Sequence, residues 1–239
     1  MSFIGSTETY GRFIEKPFPD LLEKRLGVEC VNFGVVNVGL DLYMNEPPIL
    51  NIAQNAAIKV VQVIGAQNMS NRYYSVHPRR NDRFLRAGDR LEMLYPEVDF
   101  TDFHFNRHLL SSLREISEDR FMLVVDELKQ AWVARMKHLL TQLRGRVVLL
   151  WFAAEDPPGK GSTSISDPAF VDRDMLDAIR PRVTHLVKVT RSEDARIEGT
   201  KGMIFSDYDI CAAEETLGLR AHEEAADALE PMLEKMLEG

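Results

Sequence analysis

Ala56-Ala57-Ile58-Lys59-Val60-Val61-Gln62-Val63-Ile64-Gly65 is the stretch that decides how this chain folds. Its β-branched residues and its stop at glycine mark a strand. The run Val60–Ile64 is apolar almost without interruption, which suits a strand covered on both faces, as in a parallel sheet. Parallel strands need long crossovers, so helices are expected on either side of it in sequence. Ahead of it, Pro19–Leu26 brings leucines at helical spacing to Gly27, a residue type that ends helices, and Glu29–Gly34 is a short β-rich run. Behind it, Phe121, Val124, Val125, Leu128, Trp132, Met136, Leu139 and Leu143 recur three or four apart, which predicts a long amphipathic helix over Arg120–Leu143. After Gly145, Arg146–Phe152 reads as another strand.

The remainder keeps the alternation. A loop rich in Pro, Gly, Ser and Thr spans Ala154–Asp167, followed by a helix over Asp172–Ile179, a strand over His185–Val189, a turn-rich link, and terminal helices starting near Asp207 and Ala221. The expected fold is α/β, three-layered, with a mostly parallel central sheet and helices on both faces. One domain over 1–239 is expected, with a long functional insertion at about 68–105. That segment is rich in Arg, Asn, Asp and aromatics and has no sustained period, and loops of that length carry binding or lid roles. Ligands in such folds sit beyond the carboxyl ends of the strands, so the segments that follow each strand are the ones to search.

With 239 residues, 45% of them hydrophobic and 28% charged, the chain is long enough for one sizeable core. A formal charge of −8 argues against nucleic acid as a partner, since phosphate binding needs a basic face. No apolar run is long enough to span a bilayer, and no charged-then-apolar signal segment follows Met1, so a cytoplasmic protein without a membrane partner is expected. Ser2-Phe3-Ile4 is a short lead into the first motif, which leaves open an earlier natural start. Cys30 and Cys211 match neither a CxxC pair nor a ligand spacing and read as reduced thiols. No cofactor and no metal are expected: His104 and His108 lie four apart without the acid of an HExxH helix, and Gly159-Lys160-Gly161-Ser162-Thr163 lacks phosphate-loop spacing. Oligomeric state is left open.

Three turns follow the first three strands: Gly5-Ser6-Thr7-Glu8-Thr9-Tyr10-Gly11, Asn32-Phe33-Gly34-Val35-Val36-Asn37-Val38-Gly39, and Gly65-Ala66-Gln67-Asn68. In order and strand context they resemble the SGNH/GDSL hydrolase superfamily, whose blocks are Gly-Asp-Ser-x-[Ser/Thr]-x-Gly, Asn-x-Gly-x-x-Gly, Gly-x-Asn-Asp, and Asp-x-x-His ahead of a terminal helix. The resemblance runs from Gly5 to His222 and implies the flavodoxin-like fold of those hydrolases. It puts Thr7 at the nucleophile and Ser6 at the aspartate, with Ser6 as the fallback hydroxyl if the register slips. It puts Asn37, Gln67 and Asn68 around an oxyanion, and His222 as the base. Leu219 stands where the family has the acid that orients that histidine, so Glu8 or a backbone carbonyl would have to fix its tautomer. The chain also resembles a group of uncharacterised bacterial proteins sharing Gly-x-Thr-Glu-Thr-Tyr-Gly and His-Pro-Arg-Arg-Asn-Asp.

A hydroxyl attacks an acyl carbonyl only when a base takes its proton, and side-chain amides can donate to the oxyanion that forms. The resemblance therefore implies an esterase or acyl-group hydrolase acting on a small anionic or carbohydrate substrate. Arg72, Arg79, Arg80, Arg83, Arg86 and Arg90 form a local basic run, and arginine forks suit carboxylate, sulfate or phosphate. Tyr73 and Tyr74 offer rings for a sugar. Substrate-binding residues are accordingly expected at Glu8, Tyr10, Asn71, Tyr74, His77, Arg79, Arg80, Asn81 and Asp82. The competing expectation is a non-catalytic or transferase-like protein that binds an anionic, sulfated or carboxylated glycan through the arginines.

Overall fold

The computed structural model describes residues 1–238. In chain order the elements are β1 (Ser2–Ile4), α1 (Thr7–Tyr10), α2 (Phe18–Leu26), β2 (Val31–Asn32), α3 (Leu40–Asn45), α4 (Pro47–Asn55), β3 (Ile58–Gln62), β4 (Tyr74–Val76) and β5 (Phe84–Ala87). They continue as α5 (Asp89–Leu94), α6 (Asn106–Ile116), α7 (Glu118–Leu143), β6 (Arg146–Ala153), α8 (Arg173–Ile179), β7 (His185–Thr190), α9 (Glu193–Glu198), α10 (Ile210–Glu214) and α11 (Leu219–Glu238).

Five strands form one sheet in the order β2-β1-β3-β6-β7, and every pairing in it is parallel. Counting these strands alone, the order is 2-1-3-4-5, a doubly wound arrangement with its switch point between β1 and β3. Period-two geometry divides each strand between two cores. Phe3, Ile58, Val60, Val148, Leu150 and Phe152 face one side, where they pack with Phe18 and Leu22 of α2 and Ala221, Ala225 and Leu229 of α11. Ile4, Val61, Val147, Leu149 and Trp151 face the other, against α3, α4 and the buried stripe of α7. All five residues of β3 are buried, Lys59 and Gln62 included, as a strand covered on both faces requires.

Local signals set the helix ends. Gly27 closes α2 at φ 64°, and the Ser117 side chain caps the start of α7 by accepting from Arg120 N. Asp172 caps α8 through Met175 N and pairs with Lys129 at 2.6 Å, tying α8 to α7. Trp132 Nε1 donates to Ile64 O at 2.7 Å, which pins α7 across the carboxyl end of β3.

The 68–105 segment is more ordered than its composition indicates: β4 and β5 pair as an antiparallel hairpin and α5 follows. Tyr74, Val76 and Phe84 are buried there, but an alternation only three residues long shows no period in sequence. Helices α3, α4, α6 and α9 are likewise additions to the expected order.

Candidate functional site

The main cleft, about 660 Å³, opens beyond the carboxyl ends of β1, β3 and β6. Its floor is the Gly5–Gly11 turn. Gln62, the one amide in the apolar β3 run, holds this turn from below: its Oε1 accepts from Ser6 N at 3.0 Å, Thr9 N at 3.2 Å and Thr9 Oγ1 at 2.6 Å. A side chain at Gly5 would collide with Thr9 Oγ1 and with Gln62 Oε1 itself, so glycine is required for that approach. Tyr43 closes the turn from the other side, its single hydroxyl proton shared between Gly5 O at 2.5 Å and Phe33 O at 2.7 Å.

Thr7 faces the cleft. Its Oγ1 donates to Asn37 Oδ1 at 3.2 Å and accepts from Asn37 N at 3.0 Å. Asn37 adopts φ 55°, a left-handed conformation that asparagine tolerates better than most residues. Asn68 Nδ2 donates to Asn37 O at 2.9 Å, and Gln67 Nε2 donates to Asp167 Oδ1 at 3.0 Å. Each of these amide groups keeps a second N–H beyond those bonds. Ser6 lines the cleft as well, but its N–H is taken by Gln62 and its Oγ lies 3.4 Å from Val38 O.

Glu8 sits beside Thr7. Its Oε2 accepts from Leu217 N at 3.2 Å and lies 3.9 Å from His222 Nε2. Burial pushes its carboxyl up to about 8; the Leu217 N–H opposes that rise and the Asp167 charge adds to it. His222 is fully buried between the rings of Phe18 and Phe152, and burial holds it down to about 3. Its Nδ1 accepts from Phe18 N at 3.2 Å, so the neutral ring carries its proton on Nε2. The imidazole is thus set to donate toward Glu8, not to accept a proton from Thr7. Among the described residues, no hydrogen bond joins Thr7 to His222. The geometry does not fit the expectation of His222 as base for Thr7, because the Phe18 amide occupies Nδ1 and the ring's proton sits on the side facing Glu8.

The expected binding residues divide. Asp82 lines the cleft with Glu8. Tyr74 does not offer a ring to a sugar; it is buried against Phe84 and donates to Gln67 O at 2.6 Å. Asn71 and His77 are turn supports: Asn71 Oδ1 accepts from Tyr73 N and Tyr74 N, and His77 Nδ1 from Arg79 N and Arg80 N. Asn81 is fully buried and latches the hairpin to α3, accepting from Gly39 N and Leu42 N and donating to His77 O and Pro78 O. Tyr10 is exposed outside the cleft lining.

The arginine run is dispersed. Arg72 pairs with buried Glu127, Arg79 with Glu46 at 2.6 Å, and the Arg83 guanidinium lies 3.9 Å over the Phe105 ring. None of the six arginines, Arg80 included, lines the cleft; its cations are Arg107 and Arg191. Arg107 is paired with Glu215 at 3.0 Å. Carboxyls from Glu8, Asp82, Asp167, Glu214 and Glu215 outnumber these two guanidiniums.

Sequence reasoning missed Gln62, Asp167, Arg107, Arg191 and Asn106. Gln62 had a signal, as a lone amide within an apolar strand; so did Asp167, at the end of the Pro- and Gly-rich loop after β6. Asn106 donates to Asn68 Oδ1 at 3.1 Å and Asn81 O at 2.6 Å from the start of α6, where no helix was expected. Among the described residues, no group of three His, Cys, Asp or Glu side chains is disposed to hold a metal, and no helix is long and apolar enough to cross a membrane.

Fold and cleft together define a doubly wound α/β protein with a small-molecule-sized site at the switch point of its sheet. The chain belongs to the family described as Domain of unknown function (DUF6473), which matches residues 1–237. No curated protein matches the chain.

Proposed function

We propose that the protein hydrolyses an ester bond, as the SGNH/GDSL hydrolases do but with Glu8 rather than a histidine as the base, on a small acylated carbohydrate held in the cleft. The observation that carries this reading is that the Thr7 hydroxyl and the Glu8 carboxyl, the latter raised by burial to about 8, both line the cleft on the first turn after β1. A general base works best when its pKa lies near the working pH. The 2-1-3-4-5 strand order and the ring of amides from Asn37, Gln67 and Asn68 support the same reading.

In the proposed reaction Thr7 Oγ1 turns from Asn37 and attacks the acyl carbon. Its proton passes to ionised Glu8, directly or through one water. The free N–H bonds of Gln67 and Asn68 receive the oxyanion. The bond to the sugar oxygen breaks and that oxygen takes the proton from Glu8. Water then attacks acyl-Thr7, Glu8 accepts the water's proton, and that proton returns to Thr7 as the acid leaves.

Asp82, Asp167, Glu214, Arg107 and Arg191 provide acceptors and forked donors suited to hydroxyl groups, and Phe105 adds a ring. The excess of carboxyls narrows the expected substrate from anionic or carbohydrate to carbohydrate. A cytoplasmic setting is part of the proposal, supported by the free thiols Cys30 and Cys211.

Thr7→Ala and Glu8→Gln, assayed on acetylated sugars and on simple acyl esters, test it. Losses of about 10²–10⁴-fold are expected for Glu8→Gln, the range of general-base catalysis, and at least as much for Thr7→Ala. Full turnover in both variants would sink the proposal.

The second reading is a non-catalytic protein that binds an anionic glycan. It is favoured by the bonds that already occupy the Thr7 hydroxyl and the Gln67 and Asn68 amides, and its arginines would be Arg107 and Arg191 rather than the 72–90 run. Glycan binding that survives Thr7→Ala and is lost in Arg191→Ala supports it; binding indifferent to Arg191 removes it.

A further inference from the structure

His222 presents a fully buried imidazole whose Nε2 has no hydrogen-bond partner. Buried polar groups are otherwise paired, and each exception calls for a reason. Three features around the ring supply one. The Phe18 N–H at 3.2 Å occupies Nδ1 and leaves the proton on Nε2. The rings of Phe18 and Phe152 wall off the remaining sides, with centroids at 6.0 and 5.3 Å. The carboxylate that faces Nε2 is Glu8 Oε2, at 3.9 Å, which is about 1 Å beyond a normal N–H···O bond.

We propose that His222 is a positioning residue for Glu8: a neutral imidazole, locked by the Phe18 amide as the Nε2–H tautomer, whose N–H closes on the Glu8 carboxylate each time Glu8 gives up its proton. The proposal rests on the reading of Glu8 as the proton acceptor and adds the group that steadies its charged form. It reverses the usual order, in which an acid orients a histidine that does the proton transfer. The buried orphan N–H is satisfied only in the ionised state, and the carboxylate then gains a second donor beside Leu217 N.

Other charged groups share this cleft with Glu8. Glu8 is faced by the Asp167 carboxylate from the loop ahead of α8, which opposes ionisation. Arg107 and His108 of α6, Glu214 and Glu215 of α10, and Arg191 after β7 line the same cleft, and Arg107 is engaged by Glu215. From α2 and β6 the Phe18 and Phe152 rings and the Phe18 N–H, none of them charged, meet the imidazole. On α11 itself, Glu223 and Glu224 are paired with Arg220.

The test is NMR of the full chain with labelled histidine nitrogens and glutamate carboxyls, which needs no turnover. Expected are a His222 ring that stays neutral with its proton on Nε2 between about pH 5 and 9, and an Nε2–H signal that steps as Glu8 titrates. The step should vanish in Glu8→Gln. In His222→Phe the Glu8 midpoint should move up by about one pH unit, because a hydrogen bond to the charged form is removed. A proton on Nδ1, or an Nε2–H signal indifferent to Glu8, overturns the proposal, and so does an unmoved Glu8 midpoint in His222→Phe. If that variant does not fold, the wild-type and Glu8→Gln spectra decide alone. Absence of ester turnover with the expected spectra would instead remove the hydrolase reading and leave the pair intact.

Discussion

Replacing Gln62 by leucine removes the clamp under the Gly5–Gly11 turn without changing much volume. In the folded protein Gln62 Oε1 accepts from three donors, Ser6 N, Thr9 N and Thr9 Oγ1, and Thr9 is 1% exposed. A buried donor left without a partner costs about 1–3 kcal/mol. Ser6 lies at the cleft, where water can take over its N–H, so its share is small. The two Thr9 donors remain, and the Gln62→Leu change adds apolar contact, so the net loss should be about 3 kcal/mol. With a urea m-value of about 3 kcal/mol/M for a domain of this size, the unfolding midpoint should fall by about 1 M at constant m. Urea titration followed by tryptophan fluorescence reads this directly, since Trp132 and Trp151 are both buried. A midpoint unchanged within experimental error would show that the turn is held by other bonds and that Gln62 is not its support.

Other outcomes follow from the same contacts. Glu8 and His222 carry opposite pH dependences: ionisation of Glu8 in the unfolded chain lowers stability as pH rises from about 4.5 to 8, and protonation of His222 in the unfolded chain lowers it as pH falls from about 6.5 to 3. The two slopes cancel between about 4.5 and 6.5, so in Glu8→Gln the urea midpoint should lose its alkaline decline and instead rise with pH across that window, where the His222 slope is no longer offset. Asp167→Asn removes a charge that raises the Glu8 carboxyl, so the Glu8 midpoint, followed by NMR, should move down. Asn81→Ala leaves two buried N–H groups and two carbonyls of the α3–hairpin latch unpaired and should cost about 2–4 kcal/mol by denaturant titration.

The central frame was legible because its signals are physical and local. The mostly apolar runs over β3 and β6 demand two covering layers, and the eight-residue stripe of α7 admits one period only. Helices α3 and α4 were hidden by the prolines at 47 and 48, which open α4 rather than break it. The arginine run misled for a different reason. Clustering in sequence became dispersal in space once the chain turned through β4 and β5, and Arg72, Arg79 and Arg83 each found a local partner. Thr7, Glu8, Asn37, Gln67 and Asn68 were findable because each follows a strand. Arg107, Asp167 and Arg191 reach the cleft from three separate segments, and only the tertiary fold brings them together.

The measurement that bears most directly on Thr7 as an acyl acceptor is mass spectrometry of the wild-type protein quenched in acid during turnover of an acetylated sugar. An acetyl group on the peptide carrying Gly5–Gly11, localised to Thr7 and absent in Thr7→Ala, is the predicted result. Turnover with the acetyl group on Ser6, on another residue, or nowhere on the chain would contradict it.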